Sequence, residues 1–349
     1  MNYQETHKEE MEAAVAALHP IDSYQEQFVS HCQDNRPRLS TGLLTLDKAL
    51  SGGLTSELYV LAAETSTGKS AFLMSIAQKI AQAGTDVLYF ALEMGKEEFI
   101  ARGISSVSYE QYLKVPGKKP VTVPDILLWS YDEVSKSFSK LAYSTYEEYC
   151  KEYFQRYGEH LFIVENCLNG LSVKKIANTA ALFKKNRGAV VVFVDSLQMI
   201  KADPEDYSQS DRKTKTDATI TTLKNLAAQV GVPVLTSSSV SRNNYGREIA
   251  ISSFKESGEI EYAGGVLLGW NWSGVTDQKD EMWRAGEKKD CEDRGYRNIT
   301  LKILKNKYAA CDDTIYLKYF PAYQYFKEED SQTGLPGLSY TSRPGRKRH

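Results

Sequence analysis

The feature that most restricts what this chain can fold into is the run Ala63-Glu64-Thr65-Ser66-Thr67-Gly68-Lys69-Ser70. It lies between an apolar segment, LYVLAA at 58–63, and a segment of helical spacing, AFLMSIAQKIAQAG at 71–84. A strand that turns through a small-residue loop into a helix points successive backbone N–H groups at one spot, where the helix dipole also favours negative charge. Such a unit is built to hold phosphate. Gly68 permits close approach, Lys69 is expected to reach the β- and γ-phosphates, and the Ser70 hydroxyl is expected to bind Mg²⁺. Residues 63–71, Ala63 through Ala71, are therefore the candidate ATP-binding residues. Ala63 stands where the strict motif has glycine, and a relaxed GKS can also open a helix by chance. The flanking strand and helix argue for the phosphate loop.

Further apolar strand candidates follow at DVLYFAL (86–92), LFIVEN (161–166), AVVVFVD (189–195), VPVLTS (232–237) and VLLGW (266–270), most of them separated by helical stretches. Unbroken apolar strands alternating with helices predict an α/β fold with a mostly parallel, twisted sheet covered on both faces. NITLKILK (298–305) and TIYLKYF (314–320) instead alternate apolar and polar residues, as an antiparallel C-terminal hairpin at a sheet edge would. The helix after the loop places Phe72, Leu73, Ile76 and Ile80 on one side and stops at Gly84.

ATP hydrolysis also needs one acid to hold the Mg²⁺ water shell and another to orient the attacking water. Asp195 ends the strand AVVVFVD, and Glu93 lies just past VLYFAL. In a parallel sheet both emerge at the carboxyl edge, beside the phosphate loop. The plain alternative for each is a satisfied carboxylate at a strand end.

An apolar fraction of 42% and a charged fraction of 25% allow a sizeable core. The net charge of -2 excludes a uniformly basic nucleic-acid binder but leaves room for a local basic stripe. Cys32, Cys150, Cys167, Cys291 and Cys311 are odd in number, widely spaced and free of CxxC pairs, which points to a reduced protein without a structural metal. The N-terminus lacks a signal peptide's positive start and apolar core, and AVVVFV is too short to span a bilayer, so a cytoplasmic, membrane-free protein is expected. Residues 1–36 read as a polar, partly helical leader, with EEMEAAVAAL at 9–18 interrupted by His19-Pro20. Residues 37–327 read as the ATPase domain. Residues 328–349 read as a disordered tail ending in SRPGRKRH.

The order of motifs resembles the RecA-like C-terminal motor domain of DnaB-type replicative helicases, from about Arg38 to Phe326. STGLLTLDKALSGGL is similar to that family's lead-in, and its phosphate loop also tolerates alanine first. ALEM with Glu93 resembles the family's SLEM, which carries the catalytic glutamate, and DSLQM at 195–199 resembles its DYLQL. LKNLAAQVGVPVL (223–235) and KESGEIE (255–261) are similar to two further motifs. LKNKYAA (304–310) falls where the family carries K-x-R-x-G, a lysine and an arginine finger that reach a neighbouring subunit's γ-phosphate; here these are Lys305 and Lys307.

What the resemblance implies is a RecA-like P-loop ATPase that uses ATP and Mg²⁺. It also implies a self-associating ring, a hexamer, with nucleotide at the interfaces, single-stranded DNA in the pore, and primase or a helicase loader as partner. Three positions depart from the family pattern. Ser239 in SSVSR stands where SQLNR has a glutamine that senses the γ-phosphate. Lys307 stands for arginine, keeping the charge without the planar fork. AGG at 263–265 replaces an acidic DAD. The 36 leading residues are too few for that family's helical N-terminal domain.

Two basic loops are candidates for DNA contact: KADPEDYSQSDRKTKTD (201–217), with Lys201, Arg212, Lys213 and Lys215, and SRNNYGRE (241–248), with Arg242 and Arg247. Basic groups on loops suit salt-sensitive, sequence-independent phosphate contacts; a solvated loop is the alternative. The aromatics of YLKYFPAYQYF fit hairpin packing better than base stacking. Two other readings stay open: a nucleotide-gated assembly or regulatory module without efficient unwinding, and a RecA/RadA-like recombination ATPase.

Overall fold

The computed structural model describes residues 15, 18–33, 38–132, 136–165, 170–201, 212–241, 244–254, 258–272, 289–309, 311 and 313–329. The chain divides into two compact units, Met1–Arg38 and Leu39–His349. In the first, a 3-10 turn at Ile21–Tyr24 leads into a helix at Gln25–Gln33. The helix expected over 9–18 lies outside the described residues except at Val15 and Leu18, as does the tail from 330 onward.

The second unit is built on strands β1 (Leu58–Ala63), β2 (Asp86–Ala91), β3 (Ser130–Asp132), β4 (Ser137–Ser139), β5 (Leu161–Glu165) and β6 (Val190–Asp195). They are followed by β7 (Val234–Ser239), β8 (Val266–Trp272), β9 (Arg297–Asn306), β10 (Thr314–Phe320) and β11 (Tyr325–Glu328). β3 and β4 form a separate ribbon, while the other nine make one sheet in the order β11-β10-β9-β8-β1-β7-β6-β2-β5. From β8 to β5 all neighbours are parallel, and from β8 to β11 all are antiparallel. The expected two-stranded hairpin thus gains a third strand, β11, reached through a tight turn at Pro321–Tyr323.

β1 is buried at every position because both sheet faces are covered. Successive side chains point to opposite faces: Tyr59 and Leu61 pack with Phe72, Ile76 and Trp270, whereas Leu58 and Val60 pack with Val192, Ile220 and Leu223. The helix after β1 runs Lys69–Gln82 and buries Phe72, Leu73, Ile76 and Ile80 as its spacing predicts. It ends at Gly84, whose left-handed φ of 86° lets the Thr85 N–H return to the Ile80 carbonyl at 3.3 Å.

The parallel strands bring their carboxyl ends to one edge. There Ala63 lies between Ser239 and Trp270, and Ala91 lies beside Asp195. At the opposite edge Glu57 precedes β1, and Asn306 at the end of antiparallel β9 pairs with Val266 at the start of β8.

Candidate nucleotide site

The loop between β1 and its helix turns through two left-handed residues, Ser66 (φ 61°) and Gly68 (φ 106°). Such a conformation makes a concave nest of backbone N–H groups. Glycine is required at 68 on a second count, because a Cβ there would stand 2.8 Å from Cε1 of Tyr319. The loop is tied from outside by the sheet. Trp270 Nε1 donates to the Thr67 carbonyl at 3.1 Å, and Arg297 donates to the Ser66 carbonyl at 3.2 Å. Inside the loop, the Glu64 carbonyl accepts from Thr67 Oγ1 at 2.8 Å and from Lys69 Nζ at 3.0 Å. The Thr65 and Tyr245 hydroxyls lie 3.1 Å apart, and the Gly246 N–H donates to the Glu64 carboxylate.

Asp195 closes β6 and is 1% exposed. Ser237 Oγ donates to its Oδ1 at 2.7 Å and Tyr89 donates to its Oδ2 at 3.3 Å. Burial raises its pKa above the usual aspartate value, while hydrogen bonds from Ser237 and Ser70 favour the charged form. Glu93, exposed just past β2, accepts from Ser196 Oγ. Burial lowers the pKa of Lys69, and Glu93 and Asp195 act against that by favouring the ammonium. The structure therefore brings Lys69, Ser70, Glu93 and Asp195 to one place. A hydroxyl hydrogen-bonded to a buried carboxylate, beside a phosphate nest, fits a hard cation such as Mg²⁺ that keeps phosphate oxygens and waters in its shell.

Lys305 and Lys307 lie at the far edge. Lys305 Nζ donates to the Glu261 carbonyl, and Lys307 Nζ pairs with Glu57 Oε1 at 2.9 Å. The six residues of β1 separate that edge from the loop, about 20 Å at the usual strand rise. Both lysines therefore lie at the edge away from the loop of their own chain.

Of the basic candidates, Lys201 is exposed and its stem lies against Gly170. Arg212, Lys213 and Lys215 begin the helix Arg212–Val230, which corrects the reading of 201–217 as one loop. The helix was hidden because its first turns are polar and, among its described side chains, the first fully buried one is Ile220. Arg242 lies outside the described residues, while Arg247 is exposed on a segment whose Tyr245 and Gly246 contact the phosphate loop. Ser239 sits beside Ala63, and its N–H donates to Gln198 Oε1 at 3.3 Å, so an amide does reach this point, from the segment after β6. Tyr319, Arg297, Trp270, Tyr245 and Gln198 were missed as site residues. The cross-strand pairing of Tyr319 with Arg297 was their one sequence-level signal, had the hairpin register been worked out.

A phosphate nest on β1 with carboxylates after β2 and at the end of β6, on a mostly parallel sheet, defines a RecA-like P-loop nucleotide-binding fold. Residues 38–119 and 130–328 match the family described as the DnaB-like helicase C terminal domain, and the chain belongs to that family. It is 26% identical over 274 residues to the replicative DNA helicase DnaB of Pasteurella multocida, covering 77% of this chain and 51% of that protein. It is 27% identical over 274 residues to the replicative DNA helicase DnaB of Haemophilus influenzae, again covering 77% and 51%. The chain thus spans about half the length of the curated relatives it matches. Two solved structures share the fold. One is described as an ATPase domain (TM-score 0.66, 20% identity, 89% of this chain and 99% of that one). The other is a DnaB-like replicative helicase described with its interactions with primase (TM-score 0.65, 20% identity, 93% and 70%).

Proposed function

We propose that the protein is an ATP-driven, DnaB-like helicase or translocase that acts on single-stranded DNA in DNA replication. Its active form would be a ring, with six subunits by family analogy. The observation that carries this reading is the division of the site. Lys69, Ser70, Glu93 and Asp195 converge at one sheet edge, while Lys305 and Lys307 lie at the other, where only a neighbouring subunit's nucleotide can meet them.

In this reading Lys69 and the N–H groups of residues 64–69 bind the phosphates. Ser70 and Asp195 would hold Mg²⁺, which when bound neutralises charge between the β- and γ-phosphates. Glu93, steadied by Ser196, orients the attacking water and takes its proton. Lys307 offers its cation in trans. Lys201, Arg212, Lys213, Lys215, Arg242 and Arg247 are the proposed contacts to DNA phosphates, with affinity falling as salt rises. No helix among the described residues is long and apolar enough to cross a membrane, and we place the protein in the cytoplasm with primase or a loader as further partner.

The test is ATP hydrolysis with and without single-stranded DNA, together with strand separation on a forked duplex. DNA-stimulated hydrolysis and unwinding, both lost in Lys69→Ala, are expected. Serine in place of the glutamine at 239 favours a second reading, a nucleotide-gated assembly module. A slow, DNA-independent ATPase that assembles with ATP but separates no strands would select it.

A further inference from the structure

We propose that Glu57 is the positioning residue for Lys307, fixing the ammonium that one subunit offers to the nucleotide of the next; this rests on the trans reading of Lys307 given above. Arginine's guanidinium is a rigid fork, whereas lysine carries a point charge on a flexible four-carbon stem and loses more freedom when it must be held in one place. A lysine doing an arginine's work therefore gains from an anchor, and the structure has one. Glu57, only 9% exposed, precedes β1 at the far edge. Its Oε1 accepts from Lys307 Nζ at 2.9 Å and from the Tyr308 hydroxyl at 2.6 Å.

The backbone is fixed as well, since the Lys307 N–H donates to the Gly265 carbonyl at 3.1 Å. Gly265 closes the AGG that stands where the family pattern has an acidic DAD. A Cβ at 265 would stand 2.4 Å from Glu57 Oε2, so the carboxylate of Glu57 fills space that any side chain at 265 would need. Burial raises the Glu57 pKa, but hydrogen bonds from Tyr308 and Lys307 outweigh it and bring it below the usual glutamate value, so the anchor is ionised at neutral pH. The Lys307 side chain stays 60% exposed, and an ammonium with three donors retains capacity for a phosphate after serving Glu57.

The experiment is steady-state, DNA-stimulated ATP hydrolysis by the full chain carrying Glu57→Gln, Lys307→Ala or both. Glu57→Gln is expected to lower kcat about tenfold with KM unchanged, as for a group acting only in the transition state. In the Lys307→Ala background it is expected to add no further loss. Tyr308→Phe, which removes one hydroxyl from an exposed side chain, should lower kcat about threefold and guards against misfolding of Glu57→Gln. Wild-type kcat in Glu57→Gln and Tyr308→Phe, with Lys307→Ala impaired, overturns the role of Glu57 alone. A full further loss on top of Lys307→Ala also overturns it, as an effect on folding. Wild-type kcat in Lys307→Ala overturns the trans reading and this proposal with it.

Discussion

Trp270 donates its indole N–H to the carbonyl of Thr67 at 3.1 Å, joining the strand beside β1 to the phosphate loop. Its ring packs on Phe72, with centroids 4.7 Å apart. Trp270→Phe keeps an aromatic ring but leaves the carbonyl of a buried residue unpaired. The expected cost is about 1–3 kcal/mol of stability. ATP binding measured by calorimetry should weaken about tenfold, since the loop loses a fixed point.

Gly68→Ala should be more damaging to binding than to folding. The substitution meets the Tyr319 ring and forces a left-handed φ of 106° on a residue with a Cβ. Strain of about 1–2 kcal/mol falls on the loop itself. Loss of ATP binding with a thermal midpoint within a few degrees of wild type is expected. Adding Tyr319→Ala should relieve the contact and leave the φ penalty, so binding should return only in part.

With Glu93 in its proposed role, Glu93→Gln is expected to separate chemistry from binding. The amide can still accept from Ser196 but cannot take a proton from water. Turnover is expected to fall by about 10²–10⁴ while ATP affinity stays at the wild-type value, as measured by rapid-quench kinetics and a binding titration.

The phosphate loop was legible in the sequence because its chemistry is local: Ala63 to Ser70 needs only the strand before it and the helix after it. Glu93 and Asp195 were legible because strands of one parallel sheet end at a common edge. Tyr319, Arg297 and Trp270 reach the loop through strand pairings whose register no short motif encodes. β11 was not recognised because it has four residues and follows the Pro321–Tyr323 turn almost directly. The pairing of Lys307 with Glu57 joins residues 250 positions apart and depends on the glycine at 265.

Asp86 gives the fold a pH dependence whose sign follows from its partners. Burial raises its pKa, but hydrogen bonds from Arg187 (Nε, 2.8 Å) and His160 (Nδ1, 2.8 Å) outweigh this and hold the carboxyl below the usual aspartate value. A depressed folded-state value stabilises the fold above the unfolded pKa of about 4, and that stabilisation is lost as pH falls through the folded value. The difference in urea midpoint between wild type and Asp86→Asn should shrink as pH falls below about 4. A difference that grows below about pH 4 would contradict this assignment.

The central claim, that each nucleotide site is completed by the next subunit, is tested most directly by mixing two impaired variants. Lys69→Ala lacks the phosphate lysine and keeps Lys307, while Lys307→Ala has the reverse defect. In equimolar mixed rings about a quarter of the interfaces would pair an intact Lys69 with an intact neighbouring Lys307. DNA-stimulated ATP hydrolysis by the mixture is expected to rise to roughly that fraction of wild type, where Lys69→Ala alone is near background and Lys307→Ala alone is about tenfold below wild type. A mixture no more active than its two components would contradict the shared site.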